Sequence, residues 1–279
     1  MTFPILDAIL FAILQGITEL FPISSLGHGV LVPAWLHWAI DRQSPAFLPF
    51  MVVLHLGTAA ALLLYFWRDW AALIGGFVKA RGGFGNEDSR LMWRLVFGTI
   101  PAVVLAVLFE KKIKSLFVSP TVVLVFLAVN GLILLIGDRL KRRRAHRDLD
   151  DLSAPGAIAI GTAQALALIP GISRSGATLV AGLAQGLDYA SAARFSFLLA
   201  TPIIAAAGVW EMPKLLHLGP DVQWGLMASC GLIAGALAYA STWLLMRYFK
   251  RSEVESLRPF GWYCLAVGLG GLAVTFGMH

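Results

Sequence analysis

Long apolar stretches separated by short charged loops dominate the chain. A membrane-spanning helix needs about 20 mostly apolar residues. Six stretches meet this requirement, at approximately 47–66, 91–109, 119–137, 195–210, 223–246 and 261–277. The stretch at 195–210 is the weakest of the six because Pro202 interrupts its apolar run. The hydropathy pattern therefore predicts an all-α integral membrane protein.

Two further apolar runs are interrupted by polar and turn-forming residues. They are residues 5–21, which end at Pro22, and residues 156–169, which end at Pro170 and Gly171. Proline removes a backbone donor and glycine permits unusual dihedral angles, so each run is expected to end in a turn. Non-helical backbone persists at membrane depth only where protein or trapped water satisfies it. We therefore predict two re-entrant helical hairpins, at about 5–35 and 156–190.

The polar residues of these two runs repeat along the sequence. The segment QGITELFPISSLGH begins at Gln15 and the segment QALALIPGISRSGAT begins at Gln164, an offset of 149 residues. At this offset identical residues coincide: Gln15 with Gln164, Ile23 with Ile172, Ser24 with Ser173 and Gly27 with Gly176. A duplicated, interrupted polar segment in each half of a chain is typical of membrane proteins built from inverted repeats.

Three predicted spans follow each hairpin, which divides the chain into two similar halves. Because an odd number of spans turns the second half upside down, we predict two inverted repeats, each a re-entrant hairpin plus three transmembrane helices. They occupy residues 1–140 and 153–279 and are joined by a basic cytoplasmic linker at 141–152. The cytoplasmic side then receives fourteen Lys and Arg residues and the opposite side five, counting as cytoplasmic the loops 67–90, 138–155 and 247–260. This asymmetry follows the positive-inside rule and places both termini outside.

Composition supports a membrane protein. Of the 279 residues, 58% are hydrophobic and 14% are charged, whereas soluble domains carry about 25% charged residues. The net charge of +6 does not indicate nucleic-acid binding, because the basic residues lie in short loops where membrane topology uses them.

Cys230 and Cys264 lie in apolar stretches and are expected to be small buried residues. The first residues lack a basic region and contain Asp7, so we do not expect a cleaved signal peptide.

The first polar segment carries groups suited to nucleophilic catalysis. Ser25 and His28 are three residues apart, so one helical turn would bring them to the same face. A hydroxyl beside an imidazole is a common way to activate a serine. Glu19, four residues after Gln15, could orient the imidazole, act as a base or bind a divalent cation. Charged groups at membrane depth are costly, which makes this segment a candidate functional site.

The second polar segment is suited to binding phosphate. Gly171 and Gly176 allow close approach of the backbone to a ligand, and the N–H groups at the following helix start favour an anion. Arg174 adds a planar set of donors that matches phosphate oxygens. Hydroxyl groups surround it, from Ser173, Ser175 and Thr178. The alternative is an arginine paired with a carboxylate or with helix-end carbonyls, with serines capping the helix. The phosphate interpretation predicts a membrane-embedded phosphate ester or anhydride as substrate.

These motifs resemble those of the bacterial undecaprenyl-diphosphate phosphatase family, also called bacitracin-resistance proteins. The resemblance rests on Gln15 to Glu19, on SSLGH at 24–28 and on PGISRSGAT at 170–178. Between the motifs it extends to IPAVVLAVLF at 100–109, IKSLF at 113–117 and FSFLLATP at 195–202. The resemblance therefore covers nearly the whole chain.

The resemblance implies hydrolysis of undecaprenyl diphosphate to the lipid monophosphate carrier used in cell-wall synthesis. It implies a multi-pass protein of the bacterial inner membrane, a site that opens toward the periplasmic side and a dependence on Mg²⁺ or Ca²⁺. Carried over to this sequence, Ser25 is the candidate nucleophile, His28 its general base or acid partner, Glu19 an essential acid and candidate metal ligand, and Arg174 the residue that binds the diphosphate. The candidate phosphate-binding residues are Gln15, Ser24, Gly27, Gln164, Gly171, Ser173, Ser175, Gly176 and Thr178.

The expected partners are the polyprenyl diphosphate substrate and membrane lipids, with no nucleic acid; a homodimer is left open. Two positions depart from the family pattern. Gln15 stands in the first carboxylate position, which favours a hydrogen-bonding role there over a metal site of two carboxylates. Leu26 stands where relatives often have threonine, and we expect this difference to alter packing and not chemistry.

Three other functions are compared with this interpretation, and the first of them remains an alternative. An inverted repeat with polar turns also suits a lipid-phosphate flippase or anion transporter, which needs no nucleophile. A lipid phosphatase of the acid-phosphatase-like superfamily needs a Lys-x6-Arg-Pro element before its other motifs. Arg251 and Arg258-Pro259 resemble that element but come too late in the chain. A structural scaffold would leave Glu19 and Arg174 unexplained.

Overall fold

The fold is predominantly helical in the part of the chain that the structure describes, and that part contains no β-strand. The structure is a computed structural model, and it describes residues 3–41, 44, 46–109, 119–144, 147–216, 222–250 and 256–277. The first half contains α1 (Ile5–Thr18), α2 (Ser25–Trp35), α3 (Phe47–Tyr65), α4 (Trp67–Lys79), α5 (Glu87–Leu108) and α6 (Pro120–Arg144). The second half contains α7 (Ala154–Gln164), α8 (Arg174–Ala184), α9 (Tyr189–Leu216), α10 (Trp224–Phe249) and α11 (Arg258–Gly277). The predicted all-α fold is confirmed.

Six helices in the described part of the chain are long and apolar enough to cross a membrane. They are Phe47–Tyr65, Glu87–Leu108, Pro120–Leu140, Tyr189–Glu211, Trp224–Phe249 and Arg258–Phe276. Some of them begin earlier than the apolar runs suggested. The start of α5 shows why, because Asn86 accepts a hydrogen bond from the Ser89 N–H at 2.8 Å and Glu87 and Asp88 occupy the first turn. Such capping residues favour a helix start without adding hydropathy.

Pro202 does not end the fourth span. It lies inside α9, which continues to Leu216, so the predicted span at 195–210 is confirmed in spite of its proline. The surrounding residues Phe197, Leu198 and Leu199 are almost completely buried. Packing of neighbouring helices stabilises the segment, because in a membrane protein such neighbours compensate for the hydrogen bond that proline removes.

The segment at 67–90, treated above as a loop, contains the helix α4. Its charged residues, among them Arg68, Asp69 and Lys79, lower its hydropathy, which is why an apolar-run criterion does not detect it. Leu73 is buried whereas Trp67 is exposed, so the helix presents only part of its surface to the protein.

Small residues allow the helices to approach closely. A Cβ atom added to Gly161 in α7 would lie 1.9 Å from the Gly98 carbonyl oxygen in α5. A Cβ atom added to Gly57 in α3 would lie 2.1 Å from the Gly231 carbonyl oxygen in α10. Such contacts are characteristic of helix interfaces in membranes. A Cβ atom added to Gly16 in α1 would lie 2.6 Å from the Ala234 oxygen, also in α10.

The two hairpins pack reciprocally against the opposite halves of the chain. Helix α1 packs against α10 of the second half, and α7 packs against α5 of the first half. Because each hairpin packs against the other half of the chain, the turns that follow α1 and α7 lie close to one another. Cys230 and Cys264 are both fully buried free thiols, as expected from their apolar surroundings.

Candidate active site

The second helix of each hairpin, α2 in the first and α8 in the second, begins with the same N-terminal cap. The Ser24 hydroxyl accepts a hydrogen bond from the Gly27 N–H at 3.2 Å at the start of α2. The Ser173 hydroxyl accepts one from the Gly176 N–H at 3.1 Å at the start of α8. These are the same residue pairs that coincide at the 149-residue offset. The repeat in the sequence therefore corresponds to a repeat of local structure.

The backbone at Ser24 is strained. Its φ angle is 69°, in the left-handed region that residues with a Cβ atom rarely adopt, whereas φ at Ser173 is −83°. Residues held in such conformations concentrate at functional sites, where surrounding contacts stabilise them. One such contact is the hydrogen bond of 2.8 Å between His28 Nδ1 and the Ser24 carbonyl oxygen.

The tips of the hairpins contact each other. The Ser175 hydroxyl, at the start of α8, donates to the Phe21 carbonyl oxygen of the first tip at 3.1 Å. A Cβ atom added to Gly27 would lie 3.4 Å from Gly171 Cα. Gly171 itself has φ of 104°, and a Cβ atom there would lie 2.6 Å from the Val123 carbonyl oxygen, so the second tip requires glycine at this turn.

Asn130, in the middle of α6, joins the two tips. Its Nδ2 donates to the Pro22 carbonyl oxygen at 3.0 Å, and its Oδ1 accepts from the Ser173 N–H at 2.9 Å. The side chain is completely buried. Sequence analysis missed this residue, although a lone amide in the apolar run VFLAVNGLILL is a signal that could have identified it.

The Glu19 carboxylate lies at the centre of the site and contacts residues of both hairpins. Its Oε2 accepts from the Ser25 hydroxyl at 2.6 Å and from Gln15 Nε2 at 2.8 Å. Its Oε1 lies 3.3 Å from Nη2 of Arg174. Because Ser25 and Arg174 contact the same carboxylate, a diphosphate group could reach both. The structure thus brings together four of the residues predicted to form the site.

A histidine that sequence analysis did not identify completes this centre. His55, in α3, places Nε2 3.5 Å from Glu19 Oε2 and 3.2 Å from Gln15 Nε2. Its Nδ1 lies 2.7 Å from the Met51 carbonyl oxygen. The only signal in the sequence is an isolated imidazole within the apolar stretch FMVVLHLGT.

His28 contacts groups other than the Ser25 hydroxyl. Its Nδ1 faces the Ser24 carbonyl oxygen, and its Nε2 lies 2.8 Å from the Tyr263 hydroxyl of α11. The two rings stack with centroids 5.7 Å apart. The hydrogen bond expected from the Ser-x-x-His spacing is thus replaced by one from Ser25 to Glu19. Tyr263 was not foreseen, because it lies far along the chain in an apolar span.

The remaining predicted phosphate-binding residues have various partners. The Ser173 and Ser175 hydroxyls lie 3.0 Å apart. Thr178 donates to the Arg174 carbonyl oxygen and lies 2.6 Å from the Ser196 hydroxyl. Gln164 is buried, and within the described chain neither polar atom of its amide has a hydrogen-bond partner.

One donor of Arg174 is available for a ligand. Its Nη1 is buried and, among the described residues, makes no hydrogen bond. The starts of α2 and α8, at Ser25 and Arg174, are also the positive ends of helix dipoles. A guanidinium with an unpaired donor beside two helix starts is suited to an anion such as a phosphoryl group. The adjacent serine hydroxyl bound to a carboxylate is suited to nucleophilic attack.

The donor set does not fit a resident divalent cation. Calcium takes about six to eight oxygen ligands, and magnesium is held by one or two carboxylates together with waters and substrate phosphates. Here the oxygens of Glu19 accept from Gln15, Ser25 and Arg174. Among the described residues, no group of three His, Cys, Asp or Glu side chains is arranged to hold a metal ion.

The described chain has six apolar spans and two polar hairpins. The hairpins close on a buried serine and carboxylate and a largely buried arginine, which defines a multi-pass membrane protein with a hydrolase-type site. The chain belongs to the family described as bacitracin resistance protein BacA, whose model matches residues 8–270. The resemblance read from the motifs is therefore confirmed.

Individual relatives match over almost the full chain. The chain is 65% identical to undecaprenyl-diphosphatase 2 of Chromobacterium violaceum, over 96% of this chain and 97% of that protein. It is 50% identical to undecaprenyl-diphosphatase of Acidiphilium cryptum, over 98% and 99% of the two chains. It is 49% identical to undecaprenyl-diphosphatase 2 of Burkholderia lata, over 94% and 93%.

Proposed function

We propose that this protein is a membrane phosphatase that hydrolyses undecaprenyl diphosphate to undecaprenyl phosphate and inorganic phosphate, which recycles the lipid carrier for cell-wall synthesis. The observation that carries the proposal is the hydrogen bond of 2.6 Å from the Ser25 hydroxyl to the Glu19 carboxylate, beside the guanidinium of Arg174. Relatives named undecaprenyl-diphosphatase match over nearly the whole chain.

In the first step Ser25 attacks the terminal phosphorus in line with the bridging oxygen. Glu19 accepts the hydroxyl proton, because its Oε2 is the group that the hydroxyl contacts. A bond forms between Ser25 Oγ and phosphorus while the bond to the bridging oxygen breaks. The proton on Glu19 then passes to the departing undecaprenyl phosphate.

Arg174 stabilises the charge that develops on the transferred phosphoryl oxygens. In the structure its Nη2 lies 3.3 Å from Glu19, whereas its buried Nη1 has no partner among the described residues. Fixed donors aimed at developing charge commonly make the largest contribution to such reactions. The N–H groups at the starts of α2 and α8 provide further donors from the backbone.

In the second step water hydrolyses the phosphoserine. Glu19 accepts a proton from the attacking water, the bond between phosphorus and Ser25 Oγ breaks, and the proton returns to the serine. Inorganic phosphate leaves and the starting state is restored. We assign the general base to Glu19 and a positioning role to His28, because the His28 ring bonds to the backbone of Ser24 and to Tyr263.

We place the protein in the bacterial inner membrane with its hairpins entering from the periplasmic side. The fourteen basic residues assigned to cytoplasmic loops, against five on the other side, support this orientation. The reciprocal packing of α1 against α10 and of α7 against α5 supports two inverted repeats. The polar tips would then lie at membrane depth, where a lipid-linked diphosphate can enter laterally.

Phosphate release from undecaprenyl diphosphate by the purified protein in detergent tests the function. Ser25→Ala and Arg174→Ala are both expected to abolish release, whereas Ser229→Ala, at an exposed serine bonded within α10, is expected to leave it unchanged. A lipid flippase or anion transporter would tolerate Ser25→Ala and lose function with Arg174→Ala. No phosphate release by the wild type, combined with transport in vesicles, would contradict the proposal.

Acid quenching separates the covalent pathway from direct attack by water. With substrate labelled at the terminal phosphate, the quenched protein is expected to carry the label on Ser25. If label never appears on the protein during rapid turnover, Ser25 binds phosphate and water attacks directly.

A further inference from the structure

A chain of matched hydrogen bonds runs from the catalytic carboxylate into α3. Gln15 Nε2 lies 2.8 Å from Glu19 Oε2 and 3.2 Å from His55 Nε2. His55 Nδ1 in turn lies 2.7 Å from the Met51 carbonyl oxygen. The chain therefore joins two helices, α1 and α3, behind the carboxylate that contacts Ser25.

The directions of these hydrogen bonds follow from their ends. A carbonyl oxygen can only accept, so the His55 Nδ1 that faces Met51 carries a hydrogen. With that hydrogen in place, the Nε2 of a neutral imidazole has a lone pair and accepts from Gln15 Nε2, which at 3.2 Å is closer to it than the Glu19 oxygen at 3.5 Å. Gln15 then uses both hydrogens of its amide nitrogen, one toward Glu19 and one toward His55. Every donor in the chain meets an acceptor.

His55 therefore fixes the orientation of the Gln15 amide. If the amide turned over, its oxygen would face both the carboxylate of Glu19 and the lone pair of His55, and all three groups would be acceptors. The present orientation presents an N–H group to the carboxylate oxygen that also contacts Ser25. The Gln15 amide thus donates to Oε2 of Glu19, and the Arg174 guanidinium donates to Oε1.

A carboxylate at position 15, in place of the Gln15 amide, would need a proton or a cation between itself and Glu19. It would place two negatively charged groups in contact at the distance of 2.8 Å now spanned by the amide and Glu19. Such a pair needs a shared proton or a cation between its oxygens. In this chain the amide hydrogen occupies that position.

We propose that the Gln15 amide, oriented by His55, positions the Glu19 carboxylate in place of a divalent cation, so that this chain hydrolyses its substrate without a metal ion. His55 is then a positioning residue that acts through Gln15. The inference rests on the proposed function, since it concerns the same carboxylate and the same reaction.

Chelation provides the first test. Phosphate release by the purified wild type is expected to change by less than about twofold between excess EDTA and added Mg²⁺ or Ca²⁺. Phosphate release by the Gln15→Glu variant is expected to be about tenfold or more lower in EDTA and to recover when either cation is added. The reason is that two neighbouring carboxylates need a cation between them. Loss of wild-type release in EDTA, restored by Mg²⁺ or Ca²⁺, would overturn the inference.

Binding of Mn²⁺ provides a readout that does not depend on turnover. The free ion is followed by electron paramagnetic resonance during titration of the protein. The wild type is expected to remove no more Mn²⁺ than the Glu19→Gln variant does, whereas Gln15→Glu is expected to remove one additional ion per chain. Stoichiometric binding that the wild type loses with Glu19→Gln would contradict the proposal.

Substitutions of His55 test the positioning role. His55→Ala frees the amide and is expected to lower kcat about tenfold or more with little change in KM, because small misplacements of catalytic groups are costly. His55→Gln can still offer an acceptor to Gln15 and is expected to recover a large part of that loss. The matched control is His37→Asn, at an exposed position after α2 where the positive φ of 53° suits asparagine.

The outcomes separate the inference from the function on which it rests. If the wild type releases no phosphate with or without cations, the proposed function fails. If it releases phosphate only with a cation, the function stands and the inference fails. If His55→Gln and His55→Ala lose activity equally while thermal unfolding is unchanged, His55 does not act through an acceptor to Gln15.

Discussion

The guanidinium of Arg174 lies 3.3 Å from the carboxylate of Glu19, although 155 residues separate the two along the chain. Each residue comes from the tip of a different hairpin. Their side chains are largely buried, with 13% and 7% exposed, so each charge compensates for the burial of the other. The two halves of the site are therefore joined before substrate binds, and the unpaired Nη1 of Arg174 is left for the substrate.

Replacing Arg174 with lysine should separate charge from geometry. Arg174→Lys keeps the positive charge but removes the planar pair of donors that can contact Glu19 and a phosphoryl oxygen together. Loss of one such donor from a transition state costs about a hundredfold or more in rate. We expect a decrease of that size in kcat/KM for phosphate release from undecaprenyl diphosphate.

Arg194 is the matched control for this substitution. It forms an ion pair with Asp69 away from the site, with 43% of its side chain exposed. Such pairs contribute about 1 kcal/mol or less, so Arg194→Lys should keep phosphate release within about twofold of wild type. Equal activities of Arg174→Lys and Arg194→Lys would show that the planar donor set is unimportant.

His28 variants should distinguish positioning from proton transfer. The Nδ1 of His28 donates to the Ser24 carbonyl oxygen at 2.8 Å and stabilises the strained turn that carries Ser25. His28→Asn can keep this hydrogen bond through its amide N–H but cannot act as a base. We expect His28→Ala to lower kcat for phosphate release about a hundredfold. His28→Asn should lower the same kcat about tenfold or less. Equal losses in both variants would favour proton transfer by the imidazole.

Local features of the hairpins could be predicted from the sequence. The 149-residue offset paired Ser24 with Ser173 and Gly27 with Gly176, and both pairs form the same cap. Capping depends on residues three apart, so short-range patterns contain the necessary information. The six spans were predictable for a similar reason, because a run of about 20 apolar residues is a local property.

Contacts between distant segments could not be predicted in this way. Asn130, His55 and Tyr263 are single polar residues in apolar spans, and their partners lie on other helices. The spacing of Ser25 and His28 suggested a hydrogen-bonded pair, but spacing does not include the positive φ of Ser24. The Ser25 hydroxyl instead donates to Glu19, on the preceding limb of the hairpin.

Asn130 variants should destabilise the junction of the two hairpin tips. Asn130→Leu removes these two hydrogen bonds and a longer one of 3.4 Å to Cys264 Sγ, and it leaves the Pro22 carbonyl and the Ser173 N–H buried without this partner. Leaving buried polar groups unpaired costs about 1–3 kcal/mol each. We expect a clear decrease in the midpoint of thermal unfolding in detergent, together with a loss of phosphate release.

Asn130→Asp tests the direction of these bonds in a side chain of the same shape. A carboxylate can accept from the Ser173 N–H but cannot donate to the Pro22 carbonyl oxygen. At a completely buried position it should therefore also destabilise the protein. Unfolding midpoints equal to wild type for both variants would show that Asn130 does not hold the tips together.

The crossing of α5 and α7 should not tolerate even one additional methyl group. A Cβ atom at Gly161 would lie 1.9 Å from the Gly98 carbonyl oxygen, so Gly161→Ala must move the limb that leads to the second tip. Overpacking of this kind costs about 1–3 kcal/mol. We expect a lower unfolding midpoint and reduced phosphate release. Gly225→Ala is the control, because a Cβ atom there meets nothing within 4 Å, and it should match wild type in both measurements. Wild-type behaviour of Gly161→Ala would mean that α5 and α7 separate easily, and that the position of Arg174 does not depend on this crossing.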